Sequence, residues 1–318
     1  RSRIDGLLQE VTVIEREIYE KFLSRIKLLS GIKLNIADRP QDGRFSVSTE
    51  DTPIEIRVST LPAEYGESIV LRILNPKSLF NLESLGLRED LLNLFKKEIK
   101  KPNGMIIITG PTGSGKTTTL YAFLKKIQRS EIKIITIEDP IEYRLDNISQ
   151  TAVNVAADLT FANILRSTLR QDPDVILIGE IRDKETAEIA MKAAQTGHMV
   201  LSTLHTNSAP QTLTRLVNMG IEPYNMVASV SLIIAQRLAR QLCSQCKQPL
   251  ELPDEVLLRQ GFEQEEIGSF TLYGPNGCSY CNAGYKDRIG IFEVMLVTEN
   301  IGKVIIQGGN SSDIEAEA

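Results

Sequence analysis

The stretch MIIITGPTGSGKTTTLYAFLKK, residues 105–126, decides how the central part of this chain folds. An apolar run typical of a buried strand, 105–109, leads into GPTGSGKT at 110–117, and a helix-forming segment begins at Lys116. The eight residues match the pattern G-x-x-x-x-G-K-[ST] between a strand and a helix, in which backbone N–H groups face phosphate oxygens. We therefore predict a phosphate-binding loop here.

The loop residues differ in what they offer to a nucleotide. Gly113 and Gly115 let the backbone curl, and the start of the helix favours an anion. Lys116 supplies a cation to the β- and γ-phosphates, and the Thr117 hydroxyl can bind Mg²⁺. The predicted ATP-binding residues are Gly110, Pro111, Thr112, Gly113, Ser114, Gly115, Lys116, Thr117 and Thr118.

Strand and helix patterns alternate after the loop. Continuous Val, Ile and Leu runs between amphipathic helices are typical of a buried parallel sheet, which indicates an α/β fold. The predicted strands are 105–109, 132–138, 174–180 and 199–205, and the predicted helices are 116–130, 159–171, 183–197, 208–220 and 223–242.

The first hundred residues have a different pattern. A helix is predicted over 11–31 and short strands over 53–61 and 67–74, which together indicate a small α+β domain. A further helix at 89–104 is stopped by Pro102 and Gly104 and forms a natural junction.

Acidic residues end two of the predicted strands. DVILIGE ends at Glu180, which we predict to hold Mg²⁺ directly or through water. ITIEDP places Glu138, our candidate general base, beside Asp139. Along the sequence, the strand 132–138 lies between the strand that leads into the loop (105–109) and the strand that ends at Glu180 (174–180). ATPases in which a glutamate polarises the attacking water have such an inserted strand. The alternative is a pair of solvated acids, and which glutamate does which job stays open.

His198 and His205, the only histidines, flank the strand 199–205. His205 closes this strand at the carboxyl edge, where ligands of open α/β sheets bind, and we predict that it senses the γ-phosphate. His198 precedes the strand, so it either shares that role or satisfies a local backbone group.

The four cysteines form the pattern C-x2-C-x31-C-x2-C, at Cys243, Cys246, Cys278 and Cys281. Two C-x-x-C pairs are typical of a tetrahedral Zn²⁺ site, and a helix near LPDEVLLRQG (252–261) fills the long spacer. Redox pairs or unused thiols are the alternatives, but the thioredoxin-like βαβ unit that a redox pair needs is absent from the sequence pattern. We predict a structural zinc.

Composition narrows the class of protein. A chain of 318 residues with a net charge of −5 is long enough for two domains and has no global basic field for nucleic acid. No apolar run approaches the roughly 20 residues of a membrane span, so we expect a cytosolic protein. The first and last residues read as cut, and we expect a fragment of a longer protein.

Four motifs together resemble the secretion ATPases of type II secretion and type IV pilus systems. They are GPTGSGKTTTL, ITIEDPIEY, LRQDPDVILIGEIRD and TGHMVLSTLHTNSA, and the resemblance covers essentially the whole chain. KAAQTGHMVLSTLHTNSAPQTLTRLVNMGI and SLIIAQRLARQLC are most similar to the pilus extension motors, the PilB type. The retraction ATPases of the same family lack the tetracysteine insert.

The resemblance implies a RecA-like P-loop ATPase core, an N-terminal α+β (PAS-like) domain and a small tetracysteine zinc insert. In the family, ATP lies between two domains of a subunit within a homohexamer. Arg57 and Arg72 match arginines that serve the active site, although surface ion pairs are the alternative, and Arg182 is a further candidate. The implied domains are 1–98 (N-terminal), 99–240 (ATPase core), 241–284 (zinc subdomain) and 285–318 (a segment returning to the ATPase domain).

The implied function is a Mg²⁺-ATP motor that powers type IV pilus assembly through an inner-membrane platform protein, working in the cytoplasm at that membrane. A type II secretion ATPase is the alternative. A distant third is a RecA-like nucleic-acid-binding ATPase, which the acidic insert LPDEVLLRQGFEQEEIG argues against. We expect no nucleic-acid partner, and regulators such as cyclic dinucleotides stay open.

Overall fold

The computed structural model describes residues 1–48, 53–74 and 81–318. Its strands are β1 (Ser2–Ile4), β2 (Leu7–Gln9), β3 (Gln41–Ser48), β4 (Pro53–Ala63), β5 (Gly66–Leu74), β6 (Gly104–Thr109), β7 (Ile134–Glu138), β8 (Ser149–Ala152), β9 (Val175–Ile178), β10 (Met199–Leu204), β11 (Val230–Leu242), β12 (Gln248–Pro249), β13 (Tyr273–Gly274) and β14 (Tyr285–Leu296). Its α-helices are α1 (Arg16–Leu29), α2 (Glu89–Glu98), α3 (Lys116–Ile127), α4 (Phe161–Thr168), α5 (Lys184–Gln195), α6 (Ala209–Asn218), α7 (Pro223–Ser229), α8 (Asp254–Arg259), α9 (Glu299–Ile306) and α10 (Ser311–Glu317).

The main sheet has the order β14-β11-β6-β10-β9-β7-β8, and the strands from β11 to β8 run parallel. Successive side chains of β6 point to opposite faces: Met105 and Ile107 belong to one buried cluster, and Ile106 and Ile108 belong to the other. Both faces are therefore covered, which explains the continuous apolar runs. The α/β class predicted from these runs is confirmed.

The predicted helix over 223–242 is wrong in its second part. α7 ends at Ser229, and the rest is the long strand β11, in which Leu232 pairs with Ile106 of β6. A short continuous apolar run can form either a buried strand or a buried helix, and here a free side of β6 selects the strand. Strands β3, β8, β12, β13 and β14 were not predicted either.

The order of strands differs from the order along the chain in a way that positions the site. β10, which His205 follows, lies between β6 and β9. β7, the strand that intervenes in sequence, lies on the far side of β9. The carboxyl end of β10 is therefore the immediate neighbour of the phosphate-binding loop.

The N-terminal region contains a separate antiparallel sheet, β3-β4-β5. Helix α1 packs against it through Ile26, which shares a small buried cluster with Ile32 and Val58. The predicted helix and both predicted strands are present, with α1 shorter than the predicted 11–31. A buried ion pair joins Lys27 Nζ to Glu67 Oε2 at 2.8 Å.

Contacts divide the chain into two compact units. One unit contains Arg1–Val11 and Leu238–Ile291, and the other contains Thr12–Arg237 and Phe292–Ala318. These two units do not test the four domains that the sequence predicts. The four-part division therefore stays a prediction. Among the described residues, no helix combines the length and apolar character needed to cross a bilayer.

The buried ion pair gives a test of the N-terminal region. Lys27→Met removes one partner and leaves Glu67 buried without its counter-charge, which should lower the free energy of unfolding by about 3–5 kcal/mol. Lys21→Met is the matched control, because the Lys21–Glu17 pair on the same helix is exposed and should cost less than about 0.5 kcal/mol. Urea unfolding followed by circular dichroism measures both; equal losses would contradict the role of the buried pair.

Candidate functional site

The phosphate-binding loop is a turn from the end of β6 to the start of α3. Gly110, Gly113 and Gly115 have φ angles of +142°, +79° and +90°, a region in which glycine is tolerated and other residues are strained. α3 begins at Lys116, immediately after Gly115, so the unpaired N–H groups of its first turn lie at the loop. The backbone can therefore bind an anion here.

Gly110 is the point at which the loop touches β11. A Cβ atom on this residue would collide with the backbone oxygen of Gln236 and lie 2.7 Å from Ser114 Oγ. Ser114 is buried, and its hydroxyl has no hydrogen-bond partner in the part of the chain that the structure describes. A phosphate in the loop would offer such a partner, so these residues fit the predicted ligand.

Lys116 lies folded over the same loop. Its Nζ donates to the backbone oxygen of Gly110 at 2.7 Å and to that of Pro111 at 3.2 Å. Burial lowers the pKa of Lys116; Glu180 acts against this shift, and Arg237 adds to it. The ammonium group is therefore at the loop, in the electrostatic field of an acid and of a second cation.

Four side chains from neighbouring strand ends meet beside the loop. Arg182 Nη2 lies 2.5 Å from Glu180 Oε1, and Arg182 Nη1 lies 3.5 Å from Asp139 Oδ2. On the other side, His205 Nε2 lies 3.4 Å from Glu180 Oε2. The structure thus brings together Glu180, His205, Asp139 and Arg182, all of which the sequence singled out.

Glu180 is ionised at neutral pH. Its hydrogen bond from Arg182 holds the pKa of the carboxyl below its ordinary value, against the effect of burial, and His205 acts in the same direction as Arg182. The same contact raises the pKa of Arg182. An ionised, partly exposed carboxylate near Lys116 is suited to bind Mg²⁺.

Glu138 is in a different environment, buried under α3. Its Oε2 accepts a hydrogen bond from the Tyr121 hydroxyl, and its Oε1 accepts from Thr136 Oγ1 at 2.5 Å and Gln150 Nε2 at 3.1 Å. Burial, together with the charge of Glu138, raises the pKa of Tyr121. The carboxylate therefore already has three donors, and its predicted role as general base stays a prediction.

His198 is not brought to the loop. It precedes β10 at the end where Gly104 begins β6, and its Nδ1 lies 3.0 Å from the backbone oxygen of Ala193. His205 follows the other end of β10, roughly 20 Å away along an extended strand. The structure gives His198 a backbone contact and separates it from the other predicted site residues.

Arg57 and Arg72 lie side by side on the N-terminal sheet, where they are paired across β4 and β5. Arg57 Nη2 donates to the backbone oxygen of Ile141, and Arg72 Nη1 lies 4.0 Å from Glu142 Oε1. Both arginines therefore contact the segment that follows Glu138. Their catalytic role stays a prediction, and the Arg72–Glu142 contact is a surface ion pair of the kind weighed against it.

Two polar networks at the site were not predicted. Tyr121 and Gln150 hold Glu138, and Arg237 donates to Asn207, two residues after His205. Tyr121 lies one turn into α3 on a side that pattern reading assigns to the core. Arg237 lies in the region that was predicted to be a helix, so nothing indicated that it would reach the loop.

The four cysteine Sγ atoms lie within 4.8 Å of one another. Three of the separations are 3.9 Å (Cys243–Cys278), 3.6 Å (Cys246–Cys281) and 3.6 Å (Cys278–Cys281). A tetrahedral Zn²⁺ with Zn–S bonds of ~2.3 Å requires S–S separations of about 3.8 Å. The cluster therefore fits the predicted metal, with no further ligand position for catalysis.

The family model described as "Type II/IV secretion system protein" matches residues 1–318. The chain belongs to this family. The resemblance predicted from the four motifs is thus confirmed, and the fold is that of secretion ATPases of known structure. The crystal structure of the pilus retraction motor PilT with bound ADP is similar at 29% identity with a TM-score of 0.61, covering 87% of this chain and 69% of that chain.

Relatives within this secretion family include both pilus and type II secretion proteins. The type IV pilus assembly ATPase PilB of Pseudomonas aeruginosa is 50% identical over 100% of this chain and 56% of its own length. The type II secretion system protein E of Dickeya dadantii is 48% identical over 97% of this chain and 61% of its own length. The chain therefore spans little more than half of the relatives that it matches.

The cysteine cluster gives a direct test. Cys246→Ser removes one of four thiolates, so we expect zinc bound per chain to fall and the melting temperature to fall with it. Ser244→Ala, between the cysteines of the first pair, is the matched control and should keep the metal. Atomic absorption on the purified protein measures the zinc; full metal content in the Cys246→Ser variant would contradict this site.

Proposed function

We propose that this chain is the catalytic part of a Mg²⁺-dependent ATPase that drives type IV pilus assembly. The observation that carries the proposal is the meeting of Lys116, Glu180 and His205 at the end of three neighbouring parallel strands. Open α/β sheets bind their ligands at such an edge. The 50% identity to a pilus assembly ATPase supports the process that the ATPase serves.

In this proposal the loop holds the triphosphate. Backbone N–H groups at the start of α3 and the Lys116 ammonium group neutralise the phosphate oxygens, and this charge stabilisation is the main contribution of such sites to catalysis. Thr117 and the ionised Glu180 would hold Mg²⁺, which would neutralise charge that develops on the phosphates. His205, through its contact with Glu180, responds to the γ-phosphate.

The attacking water is activated by a glutamate, and two candidates remain. Glu180 is partly exposed with its carboxylate toward Arg182 and His205, whereas Glu138 is buried with three donors. Glu138 would act by orienting the water through its buried network, and Glu180 would then bind the metal. Arg57 and Arg72 stabilise the transferring charge in either case.

Family membership supports a proposal for the assembly around this chemistry. We propose a RecA-like core, a PAS-like N-terminal region formed by α1 and the β3-β4-β5 sheet, and a homohexameric ring. The zinc subdomain supports a surface that engages an inner-membrane platform protein, which places the motor in the cytoplasm at that membrane. The net charge of −5 and the acidic insert disfavour a nucleic-acid partner.

Type II secretion is the second candidate, because a type II secretion protein E is 48% identical to the chain. Both candidates share the ATPase chemistry and differ in the filament that the motor extends. An assay of surface piliation and of protein secretion on a strain that lacks the gene separates them.

Lys116→Ala tests the ATPase itself. The variant loses the cation that binds the phosphates, so we expect Mg²⁺-ATP turnover to fall by at least about 100-fold with the fold intact. Lys125→Ala, an exposed lysine in the last turn of the same helix, is the control and should turn over ATP like wild type. Phosphate release measures turnover, and normal hydrolysis by Lys116→Ala would refute the proposal.

A pair of Glu→Gln variants assigns the acids. Glu138→Gln should bind ATP with near wild-type affinity and hydrolyse it at a rate reduced by at least about 100-fold, because it removes the base. Glu180→Gln should lose the dependence of ATP binding on Mg²⁺, because it removes a metal ligand. Titrations with and without Mg²⁺, combined with turnover assays, separate the roles. Normal turnover by Glu138→Gln would assign the base to Glu180.

A further inference from the structure

A cation on β11, Arg237, lies at the phosphate-binding loop and has no role in the chemistry described so far. β11 runs past the end of β6: Ala235 pairs with Thr109, and the strand continues to Leu242. The next residues of β11 therefore lie alongside the loop. The contact between Gly110 and the backbone oxygen of Gln236 fixes this approach.

The guanidinium of Arg237 is held at this edge by hydrogen bonds to backbone and amide oxygens. Nη1 donates to the backbone oxygen of Gln236 at 3.2 Å, and Nη2 donates to the backbone oxygen of Asn207 at 2.8 Å and its Oδ1 at 3.3 Å. The acids of the site are paired elsewhere, Glu180 and Asp139 with Arg182. The positive charge of Arg237 is therefore not balanced by these acids.

Lys116 and Arg237 are close enough to repel each other. Arg237 adds to burial in lowering the pKa of the Lys116 ammonium, and Glu180 alone acts in the other direction. Two like charges beside one loop cost free energy unless an anion lies between them, and the same arrangement strengthens the binding of a polyanion.

Arg237 also holds the segment that contains His205. Thr109 Oγ1, at the end of β6, accepts from Thr206 N at 2.8 Å, and Arg237 binds Asn207 from β11. The residues that follow β10 are thus attached to β6, which leads into the loop, and to β11, which lies beside it. A ligand that contacts Arg237 contacts the same anchored segment.

We propose that Arg237 is a further phosphate-binding residue, which contacts the nucleotide's phosphate oxygens from β11 while Lys116 contacts them from α3. The inference rests on the proposed function, in which the nucleotide binds at the loop. A guanidinium has five N–H donors, so Arg237 can keep its three bonds to Gln236 and Asn207 and still offer donors to phosphate oxygens, whereas the same contacts would occupy all three donors of a lysine.

Substitution at Arg237 tests the inference by binding alone. Arg237→Gln removes a charge-assisted contact worth about 1.5–3 kcal/mol, so the Kd of a fluorescent ATP analogue should rise about 10–100-fold. Inorganic tripolyphosphate, which carries the charge without the nucleoside, should compete with the analogue more weakly by a similar factor. Arg237→Lys keeps the charge but has fewer donors, and its Kd should lie between those of wild type and Arg237→Gln.

Arg240→Gln is the matched control. Arg240 lies three residues along the same strand and stacks on the ring of Tyr285 at 3.9 Å, so its removal should leave the Kd unchanged.

Melting temperatures verify that each variant is folded. If Arg237→Gln unfolds, Arg237→Lys is used for the test, with an expected several-fold loss of tripolyphosphate affinity. Wild-type Kd in a folded Arg237 variant overturns the inference. Failure of the wild-type protein to bind the ATP analogue instead refutes the proposed function.

Discussion

The parallel ladder that holds β6 between β10 and β11 is the interaction on which the site depends. It aligns three strand ends, so that the loop after β6, His205 after β10 and the extended part of β11 meet at one edge. The backbone contact at Gly110 leaves no room for a side chain, which fixes the loop against β11. Displacement of β6 along β10 would separate Lys116 of α3 from Glu180, which follows β9.

A second constraint comes from the cost of burying charge. Glu138 is almost inaccessible to water, and burying a polar group costs free energy unless its atoms have hydrogen-bond partners. Tyr121 and Gln150 provide these bonds from α3 and β8, so one acid joins the loop helix to the edge of the sheet. Glu180 is stabilised in another way, by its contact with Arg182 and by partial exposure to water.

Much of this arrangement could be predicted because local patterns encode it. The loop follows from eight consecutive residues, and the parallel sheet follows from apolar runs that only a doubly covered strand requires. Strand order and side-chain networks depend on contacts between distant residues, so β11 was predicted as a helix and Arg237 was missed. The separation of the two histidines, in contrast, follows from the predicted strand 199–205, because a strand of this length places His198 and His205 at opposite edges of the sheet.

The double attachment of the residues after β10 has a mechanical consequence. Thr206 is bonded to the end of β6 and, through its hydroxyl, to Thr212 at 2.7 Å in the first turns of α6, while Asn207 is bonded to β11. The two residues after His205 are therefore held by hydrogen bonds to β6, β11 and α6, so a displacement of His205 would strain these bonds. Because Thr206 is also bonded to Thr212, the segment after β10 and the start of α6 are mechanically coupled.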